Sequence, residues 1–153
     1  MRARDLAEPY VAVRSDADAV DAVRLLVERC LPGILVVGPA GRPYAILPAS
    51  DLVRTLVPGY VQEDPLLAEV IDESHADHLC RALRGRTVAD CLPVGRPYLP
   101  TIGPDSTAVE IAELMARVRT PLVAVIAPGA ASQDPLIGVV TATRLLQYLL
   151  QAA

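Results

Sequence analysis

The chain has 153 residues, 52% of them hydrophobic and 21% charged, with a net charge of −4; that is enough apolar material for a packed core and excludes a disordered chain. Phe and Trp are absent, so Leu, Val, Ile and Ala must fill the core, and an acidic chain with few aromatics and no basic run is not expected to bind nucleic acid. No apolar run approaches the roughly 20 residues of a membrane span, and Asp5 and Glu8 stand where a signal peptide needs apolar residues, so a cytoplasmic protein without membrane insertion is expected, its Cys30, Cys80 and Cys91 reduced.

Arg2 to Leu6 can form one helical turn before Pro9, and Tyr10 to Val13 fits a short strand. Asp18 is placed to cap a helix, with Asp21 three residues on. Ala19, Val20, Val23, Leu26, Val27 and Cys30 recur at spacings of three and four, which predicts one buried face. Pro32-Gly33 ends that helix. Ile34 to Val37 reads as a buried strand, Gly38-Pro39-Ala40-Gly41 as a hairpin turn and Tyr44 to Leu47 as the returning strand. A helix from about Ala49 to Val57 follows, stopped by Pro58-Gly59.

Asp64-Pro65 then offers an acceptor at the cap and Pro at the first helical position. Leu66, Leu67, Val70, Ile71, Leu79 and Leu83 predict a connecting helix to about Arg84, with an interruption near 72–76. After Gly85 the pattern restarts. Val88 to Cys91 resembles Ala3 to Leu6, with Asp90 matching Asp5, and Ile102 matches Val13. Thr107 and Glu110 form a capping box. Val109, Ala112, Met115, Ala116 and Val118 carry the helix towards Pro121, Leu122 to Ile126 is a strand, and 127–135 is a loop. Leu136 to Val140 returns, and Thr141 to about Gln151 is the last helix.

The chain therefore reads as one unit written twice. Pro32 and Pro121 lie 89 residues apart, and at that offset Asp16, Ala19, Val20, Leu25 and Val36 meet identical residues. After the hairpin the offset is 93, and Ala49, Leu52 and Leu56 meet Ala142, Leu145 and Leu149. Two copies are too few for a solenoid, which stacks more units. They are expected to pair face to face, residues 1–57 as the first repeat, 58–85 as the connecting helical segment and 86–153 as the second.

Each repeat has the order strand, helix, strand, strand, helix, with a strand-to-helix corner that keeps part of the form Gly-apolar-apolar-Thr-x-x-Asp: Gly138 to Arg144, and Ala45 to Asp51. In this the chain resembles a tandem pair of CBS domains, a Bateman module. The resemblance covers about 1–57 and 86–151. It implies an α+β fold of two βαββα repeats with pseudo-two-fold symmetry, a homodimer, and a regulatory sensor without catalytic activity. It also implies a ligand such as AMP, ADP, ATP or S-adenosylmethionine between the repeats, and an enzyme or transporter as the regulated partner.

A helix N-terminus favours phosphate, a hydroxyl there caps the helix, and a carboxylate one turn on can accept from ribose hydroxyls. Here the second corner keeps Gly138 and Thr141 but has Arg144 where Asp is expected, and the first keeps Asp51 but has Ala45 and Pro48 for the Gly and Thr. Ser50 can supply a hydroxyl. The candidate ligand-binding residues are thus Ser50, Asp51, Thr141 and Arg144. Arg144 can serve an anion or pair with a neighbouring acid; Asp51 can serve ribose or sit as a helix-end carboxylate; Thr141 can simply cap. With both corners incomplete, the alternative is a dimerisation or docking module without a ligand.

His75 and His78 are three apart, with Asp72, Glu73 and Asp77 around them, but lack a metal signature. They read more simply as a polar helix face, and no nucleophile is placed beside them. Cys30 and Cys91 read as core-filling thiols. Arg81, Arg84 and Arg86 read as a solvated, dipole-matched helix end.

Overall fold

The computed structural model describes residues 1–76, 78–94, 98–129 and 136–153. The elements are α1 (Ala3–Leu6), β1 (Ala12–Arg14), α2 (Ala19–Glu28), β2 (Gly33–Val37), β3 (Pro43–Pro48), α3 (Ala49–Leu56), α4 (Gly59–Glu63), α5 (Glu73–Ala76), β4 (Thr101–Ile102), α6 (Ala108–Val118), β5 (Leu122–Ile126), β6 (Leu136–Thr141) and α7 (Ala142–Gln151). Short 3-10 turns occupy Pro65–Glu69, Leu79–Leu83 and Ala89–Cys91. Two three-stranded sheets result, ordered β1-β2-β3 and β4-β5-β6. In each the first pair is parallel and the second antiparallel. This is the expected mixed α+β fold of two βαββα repeats.

Local chemistry sets the helix ends. The Asp18 carboxylate accepts from the Asp21 amide at 3.1 Å and starts α2. Thr107 and Glu110 close a full capping box on α6. Both helices end in the same way: the Leu31 amide donates to the Leu26 carbonyl and the Thr120 amide to that of Met115. That closure puts Cys30 and Arg119 in the left-handed region, at φ 50° and 52°. The two residues occupy the same place in the two repeats.

The repeats exchange their first turns. Ala3 and Leu6 of α1, fully buried, belong to the core of Ile111, Leu114, Met115, Val123, Val125, Val140 and Leu145 in the second repeat. Leu83, Val88 and Cys91 belong to the core of Ala22, Ile34, Val36, Leu47 and Leu52 in the first. The same capping chemistry organises both turns. The Arg2 amide donates to Asp5 at 2.8 Å, and the Thr87 amide to Asp90 at 2.9 Å. Arg2 bridges to Thr107, and Asp18 to Thr87. Arg4 pairs with Asp105. The similarity of Ala3–Leu6 to Val88–Cys91 in sequence is therefore real, but each segment completes the other repeat.

A third apolar cluster joins the sheets: Leu35 and Ile46 of the first meet Leu122 and Val139 of the second. Tyr10 packs here too and donates its hydroxyl to the Gly33 carbonyl at 2.7 Å; burial pushes its pKa up to about 12. Gly33 is small for cause, since a Cβ there would lie 3.0 Å from the Leu47 carbonyl oxygen and 3.2 Å from Leu122 Cδ1.

Three expectations need correction. The connecting stretch, expected as a helix to about Arg84 with an interruption near 72–76, is instead 3-10 turns at Pro65–Glu69 and Leu79–Leu83 with one four-residue helix between them. The Asp64 carboxylate does cap a turn at Leu66, but Asp72 accepts from the Ser74 hydroxyl and the His75 amide and starts a new, four-residue α5. Cys30 is exposed, because α2 ends at Glu28 and Cys30 lies beyond its C-cap. Val27, expected on the buried face of α2, also faces outwards at 65% exposure, while Ala22 is buried. Part of the expected 127–135 loop, residues 130–135, lies outside the described residues.

Candidate functional site

Both strand-to-helix corners hang from the same hydrogen bond. The Ala49 amide donates to the Pro32 carbonyl at 3.1 Å, and the Ala142 amide to that of Pro121 at 2.9 Å. The corners then diverge. Thr141 caps α7, its hydroxyl accepting from the Arg144 amide at 3.1 Å. Pro48 provides no side-chain cap for α3, so the first-turn amides lack that acceptor. An anion at the start of α3 would find donors that the start of α7 has partly committed to its own threonine.

A cleft of about 370 Å³ opens beside the first corner, between the repeats. Ile46, Pro48, Ser50, Asp51 and Arg54 form its first-repeat side. Leu92, Pro93, Tyr98 and Pro100 come from the segment leading to β4, and Val118, Arg119 and Thr120 from the end of α6. Asp51 is partly shielded and lies 3.8 Å from the exposed Arg54 guanidinium. Such an i,i+3 pair on a helix face is worth only about 0.2–0.5 kcal/mol and yields readily to another partner. Thr120 is buried, its hydroxyl donating to the Leu122 carbonyl at 2.8 Å, so it shapes the wall more than it offers a free donor. A second cavity of about 220 Å³ adjoins on the far side of Asp51 and Arg54, with Thr55, Gln62 and Asp90 in its wall.

The cleft can therefore offer three kinds of contact. Ile46, Val118 and the prolines present apolar surface to a flat ring. Asp51 can accept from hydroxyls. Arg54 and Arg119 can neutralise an anion, with the Ser50 hydroxyl as a further donor. Its volume falls within the usual range for small-molecule sites, about 300–1,000 Å³.

Ser50 and Asp51 share this cleft; Thr141 and Arg144 are not in its wall. Arg144 Nε instead lies 3.4 Å from Glu8 Oε1. The nitrogen is sealed from solvent and makes no aligned hydrogen bond among the described residues. Gly138 also has a structural use: a Cβ there would come within 2.8 Å of the Glu8 carbonyl oxygen. It allows Glu8 and Val139 to exchange backbone hydrogen bonds of 3.0 and 2.9 Å.

Arg54, Tyr98, Arg119 and Thr120 were not expected in the site. Arg119 and Thr120 stand directly before Pro121, where the repeat register sets Cys30 and Leu31 before Pro32. A cation at that place in one repeat only was the available signal.

His75 Nδ1 lies 3.2 Å from Asp72 Oδ1, both exposed. The Ser74 hydroxyl first, and then His75, hold the Asp72 carboxyl below its ordinary range by hydrogen bonding. Among the described residues no group of three or more metal-ligating side chains comes together; Asp77 lies outside them. Arg81, Arg84 and Arg86 are exposed. Cys91 is buried, and burial raises its thiol pKa, while Cys80 is exposed. No helix among the described residues is long and apolar enough to cross a membrane.

Comparison with known proteins gives a consistent family. The CBS domain model matches residues 3–58 and 88–151. A CBS domain-containing protein of unknown function from Kribbella flavida is 47% identical, with a TM-score of 0.76 over 98% of this chain and 99% of that one. The CBS domain of a membrane protein from Sphaerobacter thermophilus is 25% identical, with a TM-score of 0.63 over 95% and 86%. CBSX2 in complex with AMP, a protein of Arabidopsis thaliana, is 18% identical, with a TM-score of 0.68 over 99% and 97%. No curated protein sequence matched.

Proposed function

The chain belongs to the CBS domain family, carrying the domain twice, and on that premise we propose that it is a regulatory module that binds an adenine nucleotide, or a related anionic metabolite, in the cleft at Asp51. The observation that carries this reading is the convergence of Asp51, Arg54 and Arg119 on one inter-repeat cleft with apolar walls. The base lies against Ile46 and Val118, Asp51 accepts from the ribose, and the arginines and Ser50 meet the phosphate. A fold neighbour, CBSX2, was crystallised with AMP, which makes AMP the first ligand to try, followed by ADP, ATP and S-adenosylmethionine. The module acts without catalysis and passes its ligand state to a partner enzyme or transporter. It does so as a homodimer in the cytoplasm: Leu146, Leu149 and Leu150 leave an exposed apolar stripe on α7 suited to a second copy.

A docking module without ligand is the second reading, favoured by one observation: the second corner is already engaged with itself, Arg144 against Glu8. Thermal denaturation with each nucleotide separates the two. A ligand at about 100 times its Kd stabilises the native state by about 2.7 kcal/mol, or roughly 5–10 °C for a chain of this size. Asp51→Ala should remove most of that shift. No shift at millimolar nucleotide would leave the docking reading standing.

A further inference from the structure

The repeats are equivalent in fold but not in what they place at the corner. Where the first repeat has Asp51 the second has Arg144, and where Tyr98 lies along β3 the second repeat has Glu8 along β6. The register carries this last pairing: the Ile46 amide donates to the Tyr98 carbonyl at 3.1 Å, and the Val139 amide, its counterpart, to the Glu8 carbonyl at 2.9 Å. Tyr98 walls the open cleft. Glu8 instead sets its carboxylate 3.4 Å from the Arg144 guanidinium.

We infer that Glu8 is a built-in plug: its carboxylate stands where a ligand's anionic group would meet Arg144, so each chain binds one nucleotide, at the first corner, and keeps the second closed. This rests on the reading of the first cleft given above. Three features support it. Glu8 arrives on the exchanged N-terminal segment, held by two backbone bonds to Val139 that Gly138 makes room for. The Arg144 Nε is sealed from solvent yet lacks an aligned hydrogen bond among the described residues, so Glu8 meets it by charge and not by a fitted bidentate contact. Thr141, the hydroxyl at that corner, is committed to capping. The cation and the helix start of a binding corner are thus present, and the acid of the same chain answers them.

Isothermal titration with AMP tests this on wild type, Glu8→Gln and Glu8→Gln/Arg144→Gln. The wild type should bind about one AMP per chain. Glu8→Gln keeps the main-chain pairing and should bind about two, and the double variant should return to one. The Arg144 side-chain Nε–Hε resonance should stay in place when AMP is added to wild type and move in Glu8→Gln. Two molecules per wild-type chain, a Glu8→Gln variant with no second event, or a moving wild-type Arg144 resonance would each overturn the plug. If wild type binds none while Glu8→Gln gains a site that Arg144→Gln abolishes, the plug stands and the first-cleft reading fails. Should the glutamine variant not fold, the wild-type stoichiometry and resonance still decide.

Discussion

Gly138→Ala should destabilise the protein through a residue far away in sequence. The added Cβ would sit 2.8 Å from the Glu8 carbonyl oxygen, 3.1 Å from Ala7 Cβ and 3.2 Å from Glu8 carbonyl carbon. These neighbours are mostly backbone, so the N-terminal segment must move off β6. Overpacking of this kind typically costs about 1–3 kcal/mol. The move also strains the two Glu8–Val139 backbone bonds, each worth about 0.5–1.5 kcal/mol. At roughly 2–4 °C per kcal/mol for about 150 residues, the overpacking alone should lower the Tm by about 2–12 °C, and any weakening of those bonds adds to the fall. Thermal unfolding by circular dichroism reads the loss, and amide exchange should show weaker protection at Val139 and along α1. Gly59→Ala is the control. It has nothing within 4 Å of the new Cβ and lies at the start of α4, so it should be neutral or gain about 0.4–1 kcal/mol. A Gly138→Ala variant as stable as wild type, with α1 still protected, would refute the close approach and with it the exchange of first turns.

Two further outcomes follow from the helix ends. Arg119→Gly removes a side chain from a left-handed position, a conformation that costs an L-residue about 1–2 kcal/mol; after the entropy of a new glycine it should leave stability unchanged or up to about 1 kcal/mol better, while weakening AMP binding. Cys30→Gly, the same change in the other repeat, should match it in denaturant unfolding and leave AMP titrations unaltered. Thr107→Ala should cost about 1 kcal/mol near neutral pH through loss of the cap. Bonds from the Thr107 amide and hydroxyl hold the Glu110 carboxyl below its ordinary value of 4.5. A depressed carboxylate stabilises above its unfolded pKa, and that contribution fades as pH falls through the folded one. The gap between wild type and Thr107→Ala in urea midpoints should therefore narrow below about pH 4.5; a gap that widens in acid would contradict the capping box.

Much of the fold is legible in the residues because the two repeats report on each other. Pro32 and Pro121, the caps at Asp18 and Thr107, and the apolar strands between them recur at one offset. The exchange is not legible: Ala3–Leu6 and Val88–Cys91 share an apolar pattern and the matched Asp5 and Asp90, so either turn satisfies either core by pattern alone. Only the chain's path decides. The connecting stretch misleads for a related reason, since Leu66 to Leu83 is apolar at helical spacings while Asp72 restarts the helix locally with its own side chain. In the site, Ser50 and Asp51 can be picked out from the corner motif. Arg119 cannot, because it reads as the tail of α6 and reaches the cleft only through the left-handed closure that ends the helix. The ion pair of Arg144 with Glu8 joins residues 136 apart in the chain, and no periodicity encodes it.

The most direct test of the central claim is a crystal structure of the protein grown with AMP. The account predicts density between the repeats at the first corner, the ribose hydroxyls on Asp51, the phosphate against Arg54 and Arg119, and the Glu8–Arg144 pair intact. Nucleotide density at Thr141 and Arg144 with the first cleft empty, or none at either corner at saturating AMP, would contradict it.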